Sequence, residues 1–205
     1  MRIIGNIKIP LLPLAEQRSI VEMLDEIYKE IDKLVESINS GLKAITDHFD
    51  GRKKIKVKEK NKFIGFNSYK KAIDEADVVI LTTPPGFRPY HFEYAINNNK
   101  HVFMEKPLAT DPVGVRKVLE MARVAKEKKL SVVVGLQRHY QKKYTTLHNM
   151  IKQGTIGKIT SGQVYWNDGG VWVNQRQLGQ SELEYQMRNW YYFNWICGDH
   201  ILEQH

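Results

Sequence analysis

The chain of 205 residues has little of what staples, anchors or exports a protein. One cysteine, Cys197, excludes an internal disulfide framework and leaves no thiolate cluster for zinc. Beside Trp195 and Ile196, that thiol reads as a partly buried apolar group. No stretch approaches the roughly 18 apolar residues of a membrane span. The start, Met1-Arg2 and a short apolar patch broken by Gly5, Asn6 and Lys8, has neither a signal-peptide core nor a cleavage site. These absences predict a cytoplasmic protein without a membrane partner. Glycine is scarce early on: Gly5, Gly41 and Gly51 are the only ones before Gly65.

Acidic charge is also short, and the net charge is +8. Most of the excess sits in residues 52–62, RKKIKVKEKNK, with seven Lys or Arg against one Glu. Lys54, Lys56 and Lys58 alternate with Ile55 and Val57, a period of two that predicts a solvated loop or a short edge strand guarded by lysines. No aromatic residue interleaves with them to stack on bases, so DNA is not an expected partner. The remaining composition, 42% apolar and 26% charged, is that of a globular protein with room for one domain and part of a second.

Residues 76–107 organise the rest. Val78 to Leu81 is a continuous apolar run, which predicts a strand covered on both faces. Thr82-Thr83-Pro84-Pro85 follows as a turn, and Phe92, Tyr94, Ala95 and Ile96 give the next segment an apolar helical side. Asn97-Asn98-Asn99 ends it, and His101-Val102-Phe103-Met104 resumes an extended pattern before Glu105-Lys106-Pro107. The unit reads as βαβ, whose polar strand ends share the carboxyl edge where open α/β sheets bind ligands. The TTPP turn, His91 and Glu105-Lys106-Pro107, in this order and spacing, resemble the markers of the Gfo/Idh/MocA family of NAD(P)-dependent sugar and cyclitol oxidoreductases.

The similarity extends beyond Pro107. Leu108-Ala109-Thr110-Asp111 leads into a helix from about Pro112 to Lys128, with Val115, Val118, Leu119, Ala122 and Ala125 expected inside. Ser131 to Gly135 reads as another strand, and Gly135-Leu136-Gln137-Arg138-His139-Tyr140 resembles the family's turn after it. A helix from about Tyr144 to Lys152 precedes Gly154-Thr155-Ile156-Gly157, similar to the turn that introduces the family's substrate domain, with a strand expected near Ile159 to Trp166. The aromatics from Trp166 to Trp195 suit either sugar stacking or a sheet core and subunit interface. The terminal Gly198-Asp199-His200-Ile201-Leu202-Glu203 resembles a glycine-led helix carrying the family's catalytic carboxylate.

The first 38 residues have a different character. A proline-punctuated lead-in, Ile7 to Gln17, precedes Ile20, Leu24, Ile27, Ile31, Leu34 and Ile38, spaced as a heptad seam widened by Val21, Tyr28 and Val35. That pattern serves a coiled coil or a helix packed on its own chain equally. Residues 7–38 resemble the conserved helix of type I restriction-modification specificity subunits, without a recognition domain. Asn39-Ser40-Gly41 disturbs the seam and marks a boundary; a helix over Leu42 to Phe49, a strand at Phe63-Ile64-Gly65-Phe66 and a helix from Tyr69 to Glu75 capped by Ser68 follow.

The expected fold is α/β: a partial Rossmann-like parallel sheet without its first βαβ half, after a long N-terminal helix and before the start of an α+β substrate domain. Its divisions are 1–38, 39–136 and 137–205. The Gly-x-Gly-x-x-Gly fingerprint is missing, because none of the three early glycines pair at that spacing. The resemblance implies Lys106, Glu203 and His200 as catalytic groups. It implies Thr83, Pro84, Pro85, His91, Glu105, Lys106, Pro107 and Arg138 as cofactor-binding. No metal site is assigned. It further implies hydride transfer between NAD or NADP and a sugar or cyclitol hydroxyl, impaired or absent here because cofactor binding is weakened or lost. An assembly module built on the N-terminal helix, or an NAD-dependent glycoside hydrolase, are the alternatives. Self-association through the sheet face or that helix is the expected protein contact.

Overall fold

The computed structural model describes residues 2–4, 7–9, 35–48 and 57–204. They fall into two compact units, Met1–Ala72 and Ile73–His205. In the first, β1 (Arg2–Ile4) and β2 (Ile7–Ile9) pair antiparallel, with Ile3 opposite Lys8. Helix α1 spans 35–48 and passes through Asn39-Ser40-Gly41 without a break. Gly41 costs such a helix only about 1 kcal/mol, too little to end it. The remainder of the heptad segment, and residues 52–56 of the basic run, lie outside the described residues.

The described end of that run is not a strand. Val57 and Lys58 are irregular and lead into a 3-10 turn, Glu59–Asn61. Lys62 closes the turn, its Nζ donating to Glu59 Oε1 and to Asn39 Oδ1, each at 2.5 Å. Phe63 to Phe66 is also not a strand: Gly65 has φ +95°, and a chain reversal there hands over to α2 (Ser68–Asp74).

The second unit is built on three parallel strands, β3 (Val78–Leu81), β4 (His101–Met104) and β5 (Val132–Val134), in the order β3-β4-β5. Helix α3 (Arg88–Asn97) connects the first two and α4 (Pro112–Glu127) the last two. Register puts Val79 beside Val102 and Leu81 beside Met104, so these four share one face of the pleat. They are buried, as are Phe92, Ala95 and Ile96 of α3 and Val118 and Ala125 of α4. The opposite face is open: Val78 is 60% exposed, Ile80 67% and Val133 41%. The expectation that both faces of Val78–Leu81 are covered therefore fails. Two crossovers stepping the same way across a sheet, each right-handed, place both helices on the same side.

Helix α4 corrects a second expectation. Asp111 caps it, its carboxylate accepting from the Gly114 N–H at 2.8 Å, and Pro112 takes the first turn. Its inner stripe is Gly114, Val118 and Ala125, while Val115 and Leu119 face away at 45% and 66% exposure.

After β5 come α5 (Gln137–Tyr140) and α6 (Lys142–Lys152). The strand expected near Ile159 to Trp166 is not formed; residues 157–168 are irregular. An extended segment needs a neighbour to satisfy its backbone groups, and no described strand lies alongside it. The chain then folds as α7 (Glu182–Arg188), α8 (Asn194–Cys197) and α9 (Asp199–Gln204). Ile196 and Cys197 are fully buried, and the Trp195 ring meets Phe87 edge-on at 6.2 Å. Between α8 and α9, Gly198 adopts φ +81°, and a Cβ there would stand 3.2 Å from Thr110 Cα. This corner returns the C-terminal helix to the end of β4.

The one-sided core makes a direct prediction for urea unfolding. Phe92→Ala removes a ring with no exposed surface and is expected to cost about 3–5 kcal/mol, whereas Ile80→Thr on the open face changes stability by under about 1 kcal/mol. Similar losses at both positions would show the open face to be covered.

Candidate active site

The site lies at the carboxyl edge of the three strands, where β3 ends near Thr83, β4 at Glu105-Lys106-Pro107 and β5 at Gly135. Its centre is Lys106. The Lys106 Nζ donates to Glu203 Oε1 at 2.9 Å and also to the Glu203 carbonyl. Glu203 is 7% exposed, yet its carboxylate is well supplied with donors. Oε2 accepts from the Tyr191 hydroxyl at 2.9 Å and from Gln204 Nε2 at 2.6 Å. Gln204 Nε2 also reaches the Tyr191 oxygen, so the phenol accepts one bond and passes one on. Burial pushes the Tyr191 phenol above its ordinary value; the Gln204 donor opposes this, and the Glu203 carboxylate adds to it.

A second cation lies beneath. Arg88 is 2% exposed, and its guanidinium donates from Nη1 to the Pro107 carbonyl and from Nη2 to the Thr83 carbonyl. One planar fork thus ties the loop after β3 to the loop after β4. Its Nε is buried with no partner, and burial holds the guanidinium below its ordinary value against the opposing pull of Glu105 and Glu203.

His91, one helical turn beyond Arg88, is also buried, with Nδ1 3.0 Å from Thr83 Oγ1. Burial first, and then the Arg88 charge, lower its pKa to about 4. His91 is therefore a neutral imidazole at pH 7, placed to fix the Thr83 side chain.

Above Lys106 opens a cavity of about 450 Å³ bordered by Glu105, Lys106, Gly135, Arg138, Trp166 and Gln204, among others. A Cβ at Gly135 would stand 2.6 Å from Glu105 Oε1, so a side chain there would displace the Glu105 carboxylate. The space left by its missing side chain is the cradle in which the Glu105 carboxylate lies.

Most of the residues singled out from sequence gather at this edge. Thr83, Pro84 and Pro85 form the turn into α3, Pro85 opening a short 3-10 turn, and Glu105, Lys106 and Pro107 follow β4. Arg138 borders the cavity and makes no ion pair among the described residues: Nη1 bonds Gln141 Oε1 at 3.0 Å, and the guanidinium lies over the Tyr144 ring. His200 is not brought in. It is exposed on α9 and is absent from the cavity lining, while Glu203, three residues on, turns inward. Arg88 and Gln204 were not singled out from sequence, and Tyr191 only as one of the aromatics between Trp166 and Trp195; the signal for Arg88 was the apolar α3 stripe that carries it inward. Among the described residues no cluster of three or more His, Cys, Asp or Glu could hold a metal ion.

Comparison with known proteins gives the family. A family model, the oxidoreductase family with an NAD-binding Rossmann fold, matches residues 21–136, more than half of the chain. The chain belongs to the Gfo/Idh/MocA family. The match begins inside the heptad segment. Inositol 2-dehydrogenase of Salmonella typhimurium is 37% identical over 95 residues, covering 45% of this chain and 28% of that protein. The scyllo-inositol 2-dehydrogenase (NADP(+)) of Bacillus subtilis is 34% identical over 92 residues, covering 44% and 25%. A crystal structure of myo-inositol 2-dehydrogenase from Lactobacillus plantarum is 33% identical, with 46% of this chain and 28% of that one covered and a TM-score of 0.40. The chain thus spans about a quarter of the length of the curated relatives it matches. Among the described residues no helix is long and apolar enough to cross a membrane.

The His91 environment gives a pH prediction. Its folded-state value lies below the ordinary 6.5, so between pH 6.5 and about 4 the unfolded chain binds the proton that the folded chain refuses. Stability is whole above pH 6.5 and falls as the pH drops toward 4, by up to about 3 kcal/mol. Unfolding by urea between pH 5 and 7 is expected to show this slope, and His91→Gln to flatten it; equal slopes in both proteins would remove His91 as the cause.

Proposed function

We propose that this chain carries the nicotinamide-facing part of an NAD(P)-dependent oxidoreductase site for a cyclitol or sugar hydroxyl. One observation carries the reading: Lys106 ends a parallel strand beside a cavity, with its ammonium held by the largely buried Glu203. The substrate class comes from the relatives named above, which are inositol dehydrogenases.

The residues present suit one end of a dinucleotide. Glu105, Gly135 and Arg138 line the cavity beside Lys106, and the Thr83-Pro84-Pro85 turn follows the neighbouring strand. The early glycines offer no turn for the diphosphate, since none are spaced as the fingerprint requires. Bound NAD(P) supplies the hydride acceptor or donor. The chain's own part is electrostatic. A positive charge beside the substrate hydroxyl lowers that group's pKa and favours loss of its proton. Glu203 sets where the Lys106 charge sits, Tyr191 and Gln204 hold Glu203, and Arg88 fixes both strand-end loops. His200 takes no part in this arrangement. The open sheet face of Val78, Ile80 and Val133 further supports self-association through that face.

Titration with NADH, followed by tryptophan fluorescence through Trp166 in the cavity wall, tests the reading. Quenching is expected to be weak and not to saturate in the micromolar range; inositol strengthens it, and Lys106→Met abolishes the inositol effect while leaving that of NADH. Micromolar saturation would contradict the missing diphosphate turn, and an inositol effect that survives Lys106→Met would move the substrate away from Lys106.

A further inference from the structure

A second cavity, of about 350 Å³, adjoins the first and shares Arg138 and His139 with it. Tyr144, Thr145 and His148 complete its lining. Among the described residues no carboxylate borders it, in contrast to the Lys106 cavity with its Glu105. The sequence accounts for this one-sidedness. Between Glu127 and Asp168 there is no acidic residue, while Arg138, Lys142, Lys143 and Lys152 all lie on α5 and α6.

Arg138 is aimed in advance. Its bond to Gln141 and its place 5.1 Å from the Tyr144 ring centroid fix the guanidinium plane. Lys143 Nζ lies 5.2 Å from the same centroid. Two cations on one ring repel each other, and a bound anion relieves that repulsion. Arg138 Nε and Nη2, and the imidazoles of His139 and His148, bond to no other described residue. A guanidinium fork and two imidazoles on one wall match the several oxygens of a tetrahedral oxyanion better than the two of a carboxylate.

We propose that this outer cavity is an oxyanion subsite that takes a phosphate monoester, bound by Arg138, His139 and His148. Its place next to the Lys106 cavity puts the phosphate at the far end of a molecule whose reactive end reaches Lys106. Only that pairing rests on the function proposed above; anion binding stands without it. The adjoining position favours a phosphorylated polyol substrate as the bearer; the 2′-phosphate of NADP shares this chemistry but lies beyond the diphosphate from the nicotinamide, and is the alternative that the test separates.

Inorganic phosphate, titrated into the 205-residue chain at ionic strength held constant with chloride, tests the subsite through the imidazole Hε1 resonances. His139→Gln and His148→Gln supply the assignments. Saturable shifts at these two resonances are expected, with binding about fivefold weaker in Arg138→Gln. Shifts that do not saturate by about 50 mM, that chloride alone reproduces, or that Arg138→Gln leaves unchanged overturn the proposal. Competition then finds the bearer. Displacement of phosphate by myo-inositol 1-phosphate but not by inositol assigns it to substrate, displacement by NADPH but not by NADH assigns it to cofactor, and displacement by neither ester overturns the subsite. Phosphate binding that persists when inositol has no effect on NADH would retire the proposed function and leave this site standing.

Discussion

The ion pair between Lys106 and Glu203 is the contact on which the arrangement of the second unit depends. It joins the end of β4 to the last helix across nearly a hundred residues of chain. A carboxylate as buried as Glu203 is costly unless its oxygens are fully engaged, and here three side chains engage them. Tyr191 and Gln204 take one oxygen, and Lys106 the other. The Lys106 side chain is about a third exposed, so the charge that Glu203 holds still faces the cavity. The bond that docks α9 also directs the ammonium toward the cavity.

Arg88 gives that pair a fixed floor. A guanidinium buried in the first turn of α3 is an unusual expense, offset by two carbonyls that would otherwise point into the core without donors. Both belong to strand-end loops, one after β3 and one after β4, so the spacing between the loops is set by the width of a single planar group. Burial, and after it the same charge, disfavours protonation of His91, which keeps the imidazole neutral and beside Thr83. Three polar side chains on one short stretch thereby organise the carboxyl edge from below, without touching the cavity themselves.

Among the described residues of this unit, the parallel sheet is covered on one side. Register assigns Val79, Leu81, Val102 and Met104 to the packed face, and the handedness of two consecutive crossovers commits both helices to it. The other face presents aliphatic side chains to solvent, although its residue types are those of an interior. An apolar run by itself cannot distinguish a strand covered twice from one covered once, because β-branched residues suit either.

Much of the second unit was legible in the order of residues. Strands at 78–81, 101–104 and 132–134 follow from short apolar runs between turn signals, and the α4 start follows from Asp111 and Pro112, since these are local effects of sterics and capping. Lys106, Glu105 and Gly135 were placed at strand ends for the same reason. Which way each helix turned was not local: Val115 and Leu119 fit the inner stripe by spacing as well as Val118 does, and only the position of the sheet decided between them. The strand expected at 159–166 failed because extension needs a partner, and the helix through Asn39-Ser40-Gly41 survived because one glycine costs too little to stop it. Arg88 and Gln204 look like surface residues in sequence, Tyr191 is one aromatic among several, and His200 looks as promising as Glu203. Their roles depend on which side chains are driven into the same small volume, and that is settled by burial and hydrogen-bond demand once the chain has packed, not by the order in which the residues occur.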